Sequence, residues 1–244
     1  MTVDPYAESG EFIDVFSRDA WQTLGPPIVS ALRGAVPAHG PILDIGAGTG
    51  LGTFLVAETL PTAEVVAVEP SPVLRAVLLS RLAAGESLRP RVTVVATGIE
   101  NWQPPPRLGG VLAINMIGHL DSQRRRLLWA ELRTRLATGA PLIVNLQPPA
   151  EVTVVPPSVF STITIGRHTY EGSGDARPAG DDDDTVTWTM RYRTRTADGT
   201  TVRDLVVVYP WHVVSGTQLL DELADAGFDA AVGELDVVVA TPRD

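Results

Sequence analysis

Cysteine is absent from the 244 residues, which removes disulfides, thiolate metal ligands and cysteine nucleophiles together. Lysine is absent as well, so all 19 basic side chains are arginine. Positive charge is scarce overall: 19 basic residues face 29 acidic ones, giving a net charge of −10 and a pI near 4.8. A nucleic-acid binder needs a basic footprint to offset phosphate charge, so DNA and RNA are disfavoured as partners. No window approaches ~18 uninterrupted apolar residues, so a membrane span is not expected. The first residues, Met1–Phe12, are acidic and hold no apolar run of signal-peptide type. A soluble cytoplasmic protein is the expectation. With 44% hydrophobic residues, the chain can bury one substantial core, with a smaller subdomain beside it.

What is present is a regular alternation. Apolar runs stand at Ile42–Ile45, Val65–Val68, Val92–Ala96, Val111–Ile114 and Leu142–Leu146. Helical spacing fills Leu51–Leu60, Ser71–Leu82 and Ser122–Leu136. Strands alternating with helices of this length predict an α/β fold, a parallel sheet with helices on both faces. Ser71-Pro72 opens its helix as a cap followed by a first-turn proline.

The pattern changes after Leu146. Gln147–Ser158 is too rich in proline for a helix or a central strand. Phe160–Ile165, Thr185–Thr196 and Thr201–Trp211 read as strands, with a hairpin at Ala197–Thr200 and an exposed loop at Asp175–Asp184. A helix over Ser215–Ala226, stopped by Gly227, precedes two strands near Phe228–Gly233 and Leu235–Ala240. The expected division is a cofactor-binding half over 1–146, an antiparallel β insertion over 147–212 on the acceptor side, and a helix with two strands over 213–244 that completes the sheet.

The most informative stretch is Asp44-Ile45-Gly46-Ala47-Gly48-Thr49-Gly50, where a buried strand meets a glycine turn and then a helix. Glycines permit the tight turn and a close approach of ligand to backbone. Glu69 ends the next strand, 19 residues after Gly50, where a carboxylate can accept bonds from both ribose hydroxyls of a nucleoside. A dinucleotide fits poorly. Its fingerprint wants the third glycine at position 51, which is leucine, and its pyrophosphate would meet the like charge of Asp44. S-adenosylmethionine has no phosphate, and its sulfonium and ammonium groups favour a nearby carboxylate.

At these residues the chain resembles the class I S-adenosylmethionine-dependent methyltransferases. Asp44–Gly50 matches their first motif and Val65–Pro70 their second, with Ser71 directly after it. Asn115-Met116-Ile117-Gly118-His119-Leu120 resembles the loop after the fourth strand in small-molecule members, most of all the amino-sugar N-methyltransferases of antibiotic pathways. The resemblance implies a Rossmann-like seven-stranded sheet, mostly parallel, with the insertion after its fifth strand. It implies S-adenosyl-L-methionine as cofactor, held by Asp44, Gly46, Ala47, Gly48, Thr49 and Gly50, then by Glu69, Pro70 and Ser71, and by Asn115 and Met116. The family often places an acid after the third strand to meet the adenine amino group. Here Ala96-Thr97-Gly98-Ile99-Glu100 has glycine at that place, so backbone groups of Gly98 and Ile99 are expected instead.

Methyl transfer from a sulfonium already has a good leaving group, so proximity, alignment and exclusion of water can supply much of the catalysis. His119 lies past the fourth strand's carboxyl end, where open α/β sheets place ligands, and is the first candidate for a base titrating near neutrality or for an orienting group. His212 is the second; His39 lies on the wrong side of the first strand. Trp188, Tyr192, Tyr209 and Trp211 are either walls of the acceptor site or the core of the insertion. Tyr6, with Phe12 and Phe16 on an amphipathic N-terminal helix, is expected to close over the cofactor. Asp181–Asp184 reads as a solvated run and not a metal site, and Arg124–Arg126 as the solvent face of a helix.

The expected function is methylation of a small-molecule acceptor of secondary metabolism at oxygen, nitrogen or carbon. Neither nucleic acid nor membrane is an expected partner, and self-association as a homodimer stays open. Two alternatives are a cyclase that uses the cofactor pocket as a shaped cavity and a non-catalytic scaffold.

Overall fold

Five four-residue strands form the parallel half: β1 (Ile42–Ile45), β2 (Val65–Val68), β3 (Val92–Val95), β4 (Gly110–Ala113) and β5 (Leu142–Asn145). They belong to a computed structural model that describes residues 4–180 and 184–243. Strands covered by helices on both faces have no polar side to display, and β1, β4 and β5 are buried at every residue. The covering helices are α1 (Gly10–Leu32), α2 (Leu51–Thr59), α3 (Pro72–Ala84), α4 (Ser122–Arg135) and α5 (Gly216–Asp225). Their starts follow local chemistry. Ser71, Asp121 and Ser215 each accept a bond from the backbone N–H three residues on.

The chain closes with β10 (Phe228–Val232) and β11 (Val237–Pro242), and β11 runs antiparallel between β5 and β10. The sheet order is β10-β11-β5-β4-β1-β2-β3. Neighbours β1 and β4 lead to opposite halves of the sheet, and a crevice opens at their carboxyl ends, the usual ligand position in such folds. One core packs Ile45, Val68, Val144 and Trp129 on one face, and another packs Ile28, Leu32, Val56 and Ile143 on the other. The last strand begins at Val237 and not at Leu235. Leu235 and Asp236 take positive φ (55° and 58°) in a short turn, a conformation that ends pairing.

Four antiparallel strands make the second sheet: β6 (Val155–Ile165), β7 (His168–Pro178), β8 (Thr185–Thr196) and β9 (Thr201–His212), in that order. Pro156 and Pro157 sit in an edge strand at an irregularity of register, the place in a sheet where proline is tolerated. The expected hairpin forms, with the Thr196 N–H donating to the Thr200 carbonyl and Gly199 at φ 86°.

β7 is a departure from the sequence reading, which placed a loop over Asp175–Asp184. Asp175–Pro178 belong to the strand, and Asp181–Asp183 lie outside the described residues. Its centre, Glu171-Gly172-Ser173-Gly174, has no β-branched run to announce it. The glycines make room for neighbouring side chains: a Cβ on Gly172 would meet the Phe160 ring at 2.5 Å, and one on Gly174 would meet Met190 Sδ at 2.8 Å.

The arginine cluster is a second correction. Arg125 is fully buried, and its guanidinium grips Glu222 of α5 through Nε at 3.0 Å and Nη2 at 2.8 Å. Its remaining arm, Nη1, donates to the Leu120 carbonyl at 2.7 Å. Helical spacing alone cannot distinguish this from a solvated arginine, because the partner is 97 residues away. Among the described residues, no helix is long and apolar enough to cross a membrane.

Candidate active site

The turn after β1 is built on three glycines in left-handed conformations: Gly46 at φ 69°, Gly48 at 56° and Gly50 at 94°. A Cβ at Gly46 would also stand 2.9 Å from Met116 Cβ. The turn therefore presents bare backbone to the crevice. Glu69, at the end of β2, faces it. One carboxylate oxygen accepts from the Gly48 N–H and the other from the Ser71 N–H, both at 2.7 Å. Burial pushes this carboxyl up from its ordinary range, against the two backbone bonds that favour its charge. Each oxygen retains acceptor capacity, which suits a pair of vicinal hydroxyls.

The loop after β4 supplies the far end. Asn115 holds φ 58°, fixed by a reciprocal pair: the Asn115 N–H donates to Asn145 Oδ1 at 2.7 Å, and Asn145 Nδ2 donates to Asn115 Oδ1 at 2.8 Å. Asn145 was not singled out in the sequence, since it closes β5 and touches the cavity only through Asn115. His119 follows on a short turn, with its Nε2 2.8 Å from the Tyr6 hydroxyl and its ring edge-on to Trp211 at 4.8 Å between centroids. Burial, with a smaller contribution from the charge of His212, pushes His119 down to about 4. The shift favours the neutral form of the ring. Burial also raises the Tyr6 phenol well above its usual range.

The four-stranded sheet leans on this loop from above. Gly118 lacks a side chain where the Trp211 indole lies, and any Cβ there would overlap the ring. Tyr209, Pro210 and His212 of β9 reach the cavity. His212 Nδ1 is held 3.1 Å from Asp184 Oδ1 and 3.2 Å from Thr185 Oγ1. The other insertion aromatics separate from these. Tyr192 stacks on Phe12 at 5.0 Å, and Trp188 packs with Ala176, Val186 and Trp211.

These groups enclose one cavity of about 570 Å³. Of the residues expected from the sequence, Tyr6, Gly46 to Thr49, Glu69 to Ser71, Gly98, Ile99, Asn115, Met116, His119 and His212 all line it. Asp44 and Gly50 do not. Asp44 lies beneath the loop, accepting from the Thr53 hydroxyl at 2.6 Å, and burial first, then the charge of Glu69, raise its carboxyl to about 7. Gly50 caps α2 instead of facing the cavity. The N-terminal aromatics divide as well. Tyr6 enters the cavity, whereas Phe12 and Phe16 seat against the small sheet; Ile13, Ser17 and Trp21 are the α1 residues that face inward.

An acid does stand beyond the third strand. Glu100 lines the cavity, its carboxylate folded over Gly98 so that a Cβ at Gly98 would overlap it. Glycine at 98 leaves open the space that this carboxylate takes up. The cavity wall is mainly apolar, and Asp4, Glu69, Glu100 and Arg124 are charged residues that line it. Such a site fits a nucleoside-bearing cation better than a phosphate. Among the described residues, no cluster of three or more histidines and acids has the geometry of a metal site.

Residues 42–139 match the model of a family described as a methyltransferase domain. A search of curated protein sequences returns no match. Three solved structures share the fold over nearly all of this chain. DesVI of Streptomyces venezuelae is 15% identical with a TM-score of 0.74, the alignment covering 99% of this chain and 100% of that one. CalS10, an amino pentose methyltransferase of calicheamicin biosynthesis from Micromonospora echinaspora, solved with S-adenosylmethionine bound, is 18% identical with a TM-score of 0.75 and 99% of both chains covered. The sugar N-methyltransferase KedS8 from Streptoalloteichus sp. is 17% identical with a TM-score of 0.66, over 98% of this chain and 88% of that one.

Proposed function

We propose that this chain, which carries a methyltransferase domain over residues 42–139, moves the methyl group of S-adenosylmethionine to the amine of an amino sugar or a related small metabolite. The observation that carries the reading is the pairing of Glu69 with the exposed backbone of Gly46–Thr49 at one end of a cavity whose other end is the Tyr6–His119 pair. Bound there, the cofactor supplies an electrophilic methyl group on a sulfonium centre. Glu69 receives the ribose hydroxyls, Gly98, Ile99 and Glu100 receive the adenine, and the loop at Asn115-Met116 bounds the cation. The carboxylates of Asp4 and Glu69 favour positive charge within a wall that is otherwise apolar.

Tyr6 and His119 orient the acceptor, and His212, Tyr209 and Pro210 shape the space it enters. A neutral, buried His119 presents a fixed polar edge without bringing charge next to a sulfonium. Most of the rate enhancement then comes from alignment and from water exclusion by α1 and β9. An amine acceptor fits the sugar N-methyltransferases among the structural relatives, and the charge of −10 disfavours nucleic acid. A cytoplasmic location accords with a chain free of cysteine that would use a cytoplasmic cofactor.

The test has two steps. Calorimetry with S-adenosylmethionine and S-adenosylhomocysteine should give micromolar binding, with no heat from NAD. Incubation of methyl-tritiated cofactor with a panel of amino sugars, their nucleotide conjugates and matched hydroxy sugars should label the amines. Binding without any labelled product across amines, alcohols and phenols would remove methyl transfer; label in hydroxy sugars alone would remove the amine.

A further inference from the structure

α1 has two well-separated faces. Ile13, Ser17 and Trp21, four residues apart, line the cavity, and Phe12 and Phe16 stack on Tyr192 of the small sheet at 5.0 and 6.0 Å. Asp14 belongs to neither group. Its Oδ1 accepts from the Thr49 hydroxyl at 2.7 Å, and both its oxygens lie 2.6 Å from Arg81 Nη2. Arg81 Nη1 donates in turn to the Thr49 carbonyl at 2.9 Å, and Arg18 closes on Asp14 from the next helical turn at 2.9 Å. One carboxylate thus joins α1, the glycine loop and α3. Its side chain is only 15% exposed and that of Arg81 21%, so the pair is shielded from the screening that weakens surface ion pairs. Neither residue lines the cavity.

We propose that the Asp14–Arg81 pair is a latch that holds the Ile13–Ser17–Trp21 face of α1 over the loaded cofactor site and sets how long the cofactor stays bound. The inference rests on the cofactor reading above. A ligand enclosed between the glycine loop and α1 leaves only when that wall lifts, and lifting it requires the breaking of charge-assisted hydrogen bonds to Asp14. Asp14 acts through Thr49 and α1, so it is a positioning residue and not a catalytic one. The opposite face of α1 stays anchored by Phe12 and Phe16, which makes the wall a flap and not a free segment. Local electrostatics agree: burial works against the charge of Asp14, but the bonds from Thr49 and Arg18 and the charges of Arg81 and Arg18 outweigh it and hold the carboxyl below its ordinary range.

The test is a chase. Full-length protein is loaded with tritiated S-adenosylmethionine, an excess of unlabelled S-adenosylhomocysteine is added, and retained label is followed with time. Asp14→Ala should release the cofactor on the order of ten-fold faster than wild type, and Asp14→Asn, which keeps shape and one acceptor, by an intermediate factor. Arg81→Ala should act in the same direction as Asp14→Ala, and the double variant should release faster than wild type by less than the product of the two single factors, as expected of two ends of one latch. The cofactor KM should rise while kcat at saturating cofactor holds within about two-fold. Release within about two-fold of wild type in both Asp14 variants would overturn the latch. So would faster release confined to variants whose ligand-free melting temperature has fallen, for that marks general loosening. A wild-type protein that gives no binding heat with S-adenosylmethionine in calorimetry before the chase would instead overturn the cofactor reading, and the two failures are thereby distinguished.

Discussion

The Tyr6 hydroxyl lies 2.8 Å from Nε2 of His119, across 113 residues of sequence. The two form the polar end of the cavity, and both are shifted away from charge: His119 down to about 4 by burial, and Tyr6 upward for the same reason. Both shifts disfavour the charged forms, so the pH dependence of the chemical step is expected to follow the acceptor's own ionisation. Measured with two amine acceptors of different pKa, the inflection in kcat/KM should move with the acceptor and be the same in His119→Asn. His119→Ala should lower kcat more than it weakens cofactor binding. An inflection fixed near neutrality for both acceptors, and lost in His119→Asn, would restore the histidine as a base.

Glu69 meets two backbone donors and the cavity at once. Glu69→Ala should weaken cofactor binding by about 1–3 kcal/mol, the range for removing a charged acceptor from polar partners. Glu69→Gln should lose less. Isothermal titration with S-adenosylhomocysteine reads both, and wild-type affinity in Glu69→Ala would end the ribose assignment.

Asp44 is a carboxyl held to about 7 beneath the glycine turn. Its pKa in the unfolded chain is lower, so between about pH 4 and 7 the folded state binds the extra proton. Stability from this group is therefore present at low pH and is lost as pH rises through 7. The difference in melting temperature between Asp44→Asn and wild type should become more favourable to the variant from pH 5 to pH 8, by at least about 3 °C. A constant difference would mean that Asp44 is charged throughout.

The buried pair of Arg125 and Glu222 separates stability from charge. Glu222→Ala leaves the guanidinium unpartnered in the core and should cost about 3–5 kcal/mol in denaturant unfolding. The double change Arg125→Met with Glu222→Leu should recover most of that loss, because it removes both desolvated charges. If the double variant is as unstable as the single one, the Leu120 carbonyl and the Trp129 indole N–H, which also depend on this pair, carry the larger share.

The two tryptophans of the insertion should behave differently. Trp211 backs Gly118 and His119, so Trp211→Phe should lower acceptor turnover several-fold while cofactor affinity holds, and Gly118→Ala should do the same by pushing the indole away. Trp188 packs among Ala176 and Val186 away from the cavity, so Trp188→Ala should act on stability, by about 3–5 kcal/mol at most. Unchanged turnover in Gly118→Ala would show that the loop tolerates displacement of the ring.

What the sequence made legible was whatever a local pattern decides. The parallel strands are short unbroken apolar runs, and β1 and β2 begin and end where those runs do. Glu69 could be found because an acid at the end of a second strand has a fixed relation to a glycine turn. Long-range relations were not legible. Asp44 reads like a cavity residue until Thr53 is seen to take its carboxylate inward, and Arg125 reads like its solvated neighbours until α5 delivers Glu222. β7 escaped notice because its glycines serve side chains on adjacent strands, and pairing on both sides supplies what β-propensity lacks. Glu100 escaped because it stands two residues beyond the place where the acid was expected.

The prolines of the small sheet bear on how the protein behaves at high concentration. A four-stranded antiparallel sheet has two unpaired margins, and each offers a ladder of free amides to any extended peptide. Here β6 carries Pro156 and Pro157 in succession and β9 carries Pro210. Successive residues direct their amides to opposite sides, so one member of the Pro156–Pro157 pair removes a donor from the outer margin itself. A foreign strand docking there would lose its register at that point. The exposed Val159 and Ile165 of β6 can thus remain near the surface with less danger that they seed fibrillar stacking in a crowded cell.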